Sequence, residues 1–312
     1  MEPIQTSLKK WMEQSEGFQK EFQKVKRDLL QDPEIQRLIQ GHPSLTGDSL
    51  NKHLIKLYEY KSQSKNCENC TSLNGCVNMV QGYVPKPNED GGPFRLIYEP
   101  CSKRKQYEEQ ISKKSFVQSL YIPKEIIDAS WEGIHLDDPE RMPILQEIKQ
   151  FLMDAEQGVP SKGLYLHGPF GVGKTYLLGA IANELAEYKI QSMIIYMPEL
   201  VREMKGSLSD GSINQKIDRF KNVPVLMLDD IGAETQSPWF RDEVLGAILQ
   251  YRMMERLPVF FTSNLSPDEL EITLSETNKG GIEKIKAGRI MERINQVSEP
   301  LALYGKNRRK QR

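Results

Sequence analysis

The chain has 312 residues, a net charge of −1, and 38% hydrophobic and 27% charged residues, a balance that fits a folded protein of two domains. The near-zero charge excludes a generally cationic nucleic-acid binder, and no apolar run approaches the roughly 20 residues that cross a bilayer. The start, Met1-Glu2-Pro3-Ile4-Gln5, lacks the basic-then-apolar profile of a secretory signal, so a cytoplasmic protein with no membrane partner is expected.

Residues 6–60 read as helices. Phe18, Phe22, Val25 and Leu29 recur at helical spacing among Lys, Glu and Gln. Asp32-Pro33 has the form of a cap and first-turn proline, and Gly41 closes a short helix; a third helix carries Leu50, Leu54, Leu57 and Tyr58. All four cysteines follow: Cys67, Cys70, Cys76 and Cys101, with no His between them. Four thiolates can close a tetrahedral Zn²⁺ site, and Cys67-x-x-Cys70 is the usual first half of one. The second half is irregular, since Cys101 lacks a close partner. Free buried cysteines are the plain alternative. A structural zinc is expected, holding a module too poor in apolar residues to fold unaided. Pro85, Pro87, Gly91, Gly92 and Pro93 predict loops or short hairpins, and the charged stretch from Ser102 to Lys114 reads as a solvated linker or helix. The expected division is a helical and zinc-binding domain over 1–106, a linker over 107–120 and a second domain over 121–312.

In that second domain a helix is predicted over 141–156, and apolar runs at 163–166, 193–197, 223–228 and 258–263 alternate with helical stretches. That alternation predicts an α/β domain with a parallel sheet covered on both faces. The first run leads into Gly168-Pro169-Phe170-Gly171-Val172-Gly173-Lys174-Thr175, which fits the phosphate-binding pattern G-x-x-x-x-G-K-[ST]. Glycines let the backbone N–H groups curl toward phosphate oxygens, Lys174 can reach the β- and γ-phosphates, and the Thr175 hydroxyl can ligate Mg²⁺. The third run, Val225-Leu226-Met227-Leu228-Asp229-Asp230, places two carboxylates at a buried strand's C-terminal tip, where open α/β sheets bind ligands. Asp229 is expected to hold Mg²⁺ and Asp230 to orient or deprotonate the attacking water. Alone, this could be an edge strand ending in a solvated turn; behind a phosphate loop it predicts an ATPase or GTPase. The fourth run ends at Phe261-Thr262-Ser263-Asn264, where the Asn264 amide offers a donor and an acceptor without charge. Ser266-Pro267-Asp268-Glu269 then looks like a helix start.

These motifs, with the run Leu226-Met227-Leu228-Asp229-Asp230-Ile231-Gly232-Ala233-Glu234, resemble the helicase-loader ATPases of the AAA+ class, a group that also contains transposition-helper ATPases. The four-cysteine module before the ATPase is similar to that of DnaI-type primosomal proteins, and the resemblance covers essentially the whole chain. It implies an AAA+ ATPase using ATP, Mg²⁺ and Zn²⁺. Its N-terminal domain would bind the hexameric replicative helicase, and the chain would place that ring on single-stranded DNA, with possible self-assembly into a ring or spiral. The alternative within the group is a transposition helper acting with a transposase; residues 1–101 argue against it. A small-molecule kinase fits poorly, because Asp229, Asp230 and Asn264 are arranged to activate water.

The same resemblance gives Asn264 the sensor-1 role. In Gly288-Arg289-Ile290-Met291-Glu292-Arg293 it implies the arginine finger, with Arg293 ahead of Arg289. In the tail it implies a sensor-2 arginine, with Arg309 ahead of Arg308. Two arginines on a solvated helix face are the plain alternative to a finger. Only nineteen residues follow Arg293, so little or no helical lid is expected. Arg202, Lys205, Lys216, Arg219 and Lys221 mark a region that could track a single-stranded backbone, with a solvated charged face as the alternative.

Overall fold

In the computed structural model, Asp32 ends one helix and starts the next. Helix α1 (Glu16–Leu30) stops just before it, and its carboxylate accepts from the backbone N–H groups of Glu34 (2.9 Å) and Ile35 (3.3 Å) at the head of α2 (Pro33–Gly41). The structure describes residues 16–67, 70–134, 139–235, 237–276 and 281–308, so the expected helical residues 6–15 and the sensor-2 candidate Arg309 lie outside the described residues. The third expected helix is divided at His53 into α3 (Gly47–Lys52) and α4 (Leu54–Ser62). Leu29, Ile35, Leu45, Leu54, Leu57 and Phe94 make a small buried core. The proline- and glycine-rich stretch forms an antiparallel hairpin of β1 (Tyr83–Pro87) and β2 (Leu96–Pro100).

The chain divides into two compact units, Met1–Gln110 and Ile111–Arg312. The stretch expected as a linker over 107–120 is not irregular. It belongs to α5 (Ser102–Phe116), which runs directly into β3 (Val117–Leu120). The physical reason is composition: Lys, Gln, Glu and Arg are good helix formers, and no Gly or Pro interrupts 102–116.

The second unit then runs through α6 (Lys124–Ile127), α7 (Met142–Gln157), β4 (Gly163–His167), α8 (Lys174–Glu187), β5 (Ser192–Tyr196), α9 (Met197–Asp210), α10 (Ile213–Asn222) and β6 (Val225–Asp229). A π-helical turn at Phe240–Leu245 opens α11 (Gly246–Met254), followed by β7 (Val259–Ser263), α12 (Pro267–Ser275), α13 (Lys284–Val297) and β8 (Ser298–Ala302). The six strands lie in the order β3-β5-β6-β7-β4-β8, and every neighbouring pair is parallel. Alternate residues of each strand bury into opposite clusters: Leu226, Leu228 and Phe261 on one face, Val225, Met227 and Phe260 on the other. This is the α/β AAA+ ATPase fold with a parallel sheet. After α13 the described residues add a strand to the sheet and no helical lid. Among the described residues no helix is long and apolar enough to cross a membrane.

Arg252 on α11 is fully buried and donates to five backbone carbonyls, those of Phe220, Lys221, Val223, Pro224 and Pro258. It ties the end of α10 and the approaches to β6 and β7 together beneath the sheet. Burial pulls its guanidinium down to about 9, still above neutrality, so it remains a five-fold donor there.

Candidate functional site

The sheet order brings the separated motifs together, because β4 carries the phosphate loop, β7 carries Asn264, and β6 carries Asp229 on the far side of β7. The loop leaves β4 at His167, and Gly168, Gly171 and Gly173 all hold positive φ (149°, 81° and 96°), the region where a β-carbon is unfavourable. Gly173 is the N-cap of α8, so Lys174 and Thr175 open the helix and its positive end faces the loop. Pro169, Phe170 and Val172 complete the loop; Phe170 is exposed and Val172 is buried in the core.

Lys174 is itself 7% exposed. Its Nζ donates to the carbonyls of Gly168 (2.7 Å) and Pro169 (2.9 Å) and to Asn264 Oδ1 (2.9 Å). Asn264 Nδ2 in turn donates to Asp230 Oδ1 at 2.8 Å. One amide therefore joins the phosphate-loop lysine to the proposed base. Asp229 is 4% exposed, and the Thr262 hydroxyl donates to its Oδ1 at 2.6 Å. Burial pushes the Asp229 carboxyl up, the hydroxyls of Thr262 and Thr175 pull it back, and the Asp230 charge adds to the rise. A buried carboxylate bonded to the Thr175 hydroxyl is a hard-oxygen pair that fits Mg²⁺ beside the phosphates. Ser266 caps α12 in a full capping box with Glu269, so the helix start and the Asn264 site coexist.

Several neighbours of the loop were not legible beforehand. Leu303 N–H donates to His167 O (2.6 Å) and Arg308 N–H to Gly171 O (2.9 Å), so the segment after β8 runs along the phosphate loop. A β-carbon on Gly171 would collide with the Asn307 side chain. Arg308 thus lies beside the loop, by its backbone. Arg141 is 3% exposed, and its guanidinium approaches Gly173. Burial holds the His167 imidazole below its ordinary value; Glu269 opposes that shift and Lys174 adds to it.

The helix α13 carries both finger candidates. Arg289 is exposed, whereas Arg293 is half-buried and donates from Nη1 to the Gly246 carbonyl of the same chain at 2.9 Å. The basic residues of α9 and α10 are largely engaged. Arg202 bonds both carboxylate oxygens of Glu199, Lys216 pairs with Glu203, Lys221 with Asp218, and Arg219 donates to Gln118. That pairing lowers the positive field expected there.

Among the described residues, no group of three or more His, Cys, Asp or Glu is arranged to hold a metal. The four cysteines expected to form a zinc cage are not among such groups. Cys67, Cys70, Cys76 and Cys101 are unbridged and half-buried. They are still neighbours: burial pushes the Cys67 thiol up, and Cys101, Cys70 and Cys76 each add to that. Gly82 N–H donates to Cys76 Sγ at 3.3 Å and Lys103 donates to the Cys70 carbonyl, contacts that suit a sulfur-rich turn.

Comparison with known proteins agrees with both halves. A family model for the N-terminus of the primosomal protein DnaI matches residues 1–91, and one for the bacterial DnaA ATPase domain matches residues 152–282. The replicative helicase loader DnaI of Bacillus subtilis (strain 168) is 42% identical over 310 residues, covering 99% of each chain. The replicative helicase loader DnaC of Escherichia coli (strain K12) is 25% identical over 151 residues, 48% of this chain and 60% of that protein. A crystal structure of DnaI covers 63% of this chain and 98% of its own, at 47% identity and a TM-score of 0.55. The chain belongs to the DnaI family of replicative helicase loaders.

Proposed function

We propose that this chain binds the hexameric replicative helicase through residues 1–106 and places it on single-stranded DNA in replication initiation or restart, driven by ATP in its second unit. The observation that carries the ATP-driven part is the continuous path Lys174–Asn264–Asp230 beside the Thr262–Asp229 pair. Lys174 would leave the Gly168 and Pro169 carbonyls for the β- and γ-phosphate oxygens when ATP enters. Thr175 and Asp229 would hold Mg²⁺, which neutralises charge on the transferring phosphoryl group. Asp230 would take the proton of the attacking water, with Asn264 keeping its carboxylate turned toward that water. The likeness to the B. subtilis loader runs through the N-terminal unit, which favours a helicase over a transposase as partner.

An arginine from α13 of a neighbouring copy would complete the site in a ring or spiral assembly. Arg293 holds the position the family pattern implies, while the exposure of Arg289 favours that residue for reaching across. Arg309, or Arg308 beside Gly171, would read the γ-phosphate within the same subunit. The four cysteines would hold one structural Zn²⁺, supported by their mutual proximity around Cys67. Metal analysis of the purified chain should give one zinc per molecule, lost in Cys67→Ser; a metal-free, fully folded protein would remove that assignment. On single-stranded DNA, Lys205 and the paired Arg202 would contribute little more than screened contacts, so replacing both by Ala should flatten the salt dependence of binding only modestly. The whole reading is tested by capturing proteins from cell extract on the full chain. The replicative helicase is expected, and a transposase in its place would overturn the assignment.

A further inference from the structure

Thr262 lies on β7 between the two strands that carry the site, and is 1% exposed. A hydroxyl offers one proton and two lone pairs. Here the proton goes to Asp229 Oδ1 at 2.6 Å, because an ionised carboxylate can only accept. A lone pair accepts from the Asp230 N–H at 2.8 Å. One side chain thus grips the carboxylate of the first aspartate and the backbone of the second.

The second grip falls where it is needed. Asp230 holds φ at +62°, in the left-handed region that residues with a β-carbon avoid. The backbone just beyond is tied to the same strand: Ile231 N–H donates to Thr262 O at 2.9 Å, and the Ser263 hydroxyl donates to Ile231 O at 2.6 Å. The left-handed turn presents the Asp230 side chain to Asn264. Without the Thr262 hydroxyl, both the turn and the aim of Asp229 lose a fixed partner in a place that water does not reach.

We propose that Thr262 is a positioning residue whose hydroxyl aims Asp229 at the Mg²⁺ it shares with Thr175 and locks the turn that presents Asp230 to the attacking water. The proposal rests on the nucleotide-hydrolysis reading above and deepens it. A β-branched residue kept only to fill β7 would be equally well served by valine, which has the same shape and neither hydrogen-bonding function.

The test compares Thr262→Val and Thr262→Ser in the full chain by titrating Mg²⁺ into the protein with a fluorescent ATP analogue, and by steady-state hydrolysis with helicase and single-stranded DNA present. Thr262→Val is expected to raise the Mg²⁺ concentration for half-maximal effect about 10- to 100-fold and to lower kcat by a similar factor, as loss of a metal ligand's hydrogen-bonded partner does. Binding of the analogue without Mg²⁺ should be unchanged, since the phosphate loop is untouched. Thr262→Ser should return both readouts to within a few-fold of wild type. Val behaving as wild type, Ser failing as badly as Val, or equal loss of binding with and without Mg²⁺ would each overturn the proposal. If Thr262→Val does not fold, Thr262→Ala, which overfills nothing, is read by the same titration. If the wild type binds Mg²⁺ and nucleotide but never hydrolyses, the hydrolysis reading fails while the Mg²⁺ titration still decides the role of Thr262.

Discussion

Asn264 donates a 2.8 Å hydrogen bond from its Nδ2 to Asp230 Oδ1, while its own Oδ1 is held by Lys174. The amide spans two strand ends, and its two ends are chemically distinct, so its orientation is fixed by what each neighbour can give. Asp230→Asn should therefore keep ATP affinity, because Lys174, Thr175 and Asp229 are intact. It should lower turnover by about 10²–10⁴, the usual contribution of a general base. Nucleotide titration beside a phosphate-release assay checks this; wild-type turnover in Asp230→Asn would reassign the base.

Asp229 makes the apo site unfavourable at neutral pH. Its carboxyl is raised above the ordinary 3.8, chiefly by burial. Its contribution to stability is therefore full below that value and lost as pH rises through the raised one. Asp229→Asn is expected to raise the Tm of the chain in Mg²⁺-free buffer at pH 7, with the gain shrinking as pH falls toward 4. Melting curves at the two pH values decide it, and a lower Tm for the variant at pH 7 would contradict the buried-carboxylate cost.

Arg252 is fully buried and satisfies five carbonyls from one side chain. Arg252→Met keeps most of the volume but leaves those carbonyls short of donors, at about 1–3 kcal/mol for each one left unsatisfied. Arg252→Lys supplies three donors on a flexible stem and should recover only part of the loss. Denaturant unfolding is the readout, and a Met variant as stable as wild type would show that water or backbone shifts replace the guanidinium.

The finger candidates separate cleanly. Arg293→Ala should cost about 1 kcal/mol of stability by freeing the Gly246 carbonyl, whatever its role in catalysis. The variant that removes the finger should lose about 10³–10⁵ in turnover. It should also regain activity when mixed with Lys174→Ala, because mixed assemblies pair an intact arginine with an intact pocket. Rescue of Arg289→Ala alone would assign the finger to Arg289, rescue of Arg293→Ala alone to Arg293. Absence of rescue in both would mean that no arginine of α13 acts between copies.

Much of this was legible in the residues because each central strand is an apolar run closed by a chemically marked end: the glycine loop after β4, the two acids Asp229 and Asp230 at the tip of β6, an Asn after β7. The edge strands were not. Val117-Gln118-Ser119-Leu120 is half-buried throughout, and Ser298-Glu299-Pro300-Leu301-Ala302 contains a proline and an exposed glutamate, so neither carries the continuous apolar signature of a strand buried on both faces. In the site, Lys174, Asp229, Asp230 and Asn264 stand out by type and spacing. Thr262 does not, since threonine is an ordinary strand former, and only the adjacency of β6 and β7 reveals its hydroxyl as a partner. The cysteines stand out by the Cys67-x-x-Cys70 spacing, and only the fold brings Cys76 and Cys101 near that pair. Lys174 is buried and bonded to its own loop, so Lys174→Ala also removes the link to Asn264.

The most direct measurement is helicase loading itself: the full chain, the hexameric replicative helicase and circular single-stranded DNA, with the helicase retained on the circle after a high-salt wash as readout. Retention should require this chain and ATP, and should fall to the level without it when Asp230→Asn or Lys174→Ala replaces the wild type. Retention that is the same without the chain, or a chain that never associates with the helicase, would contradict its role as an ATP-driven loader.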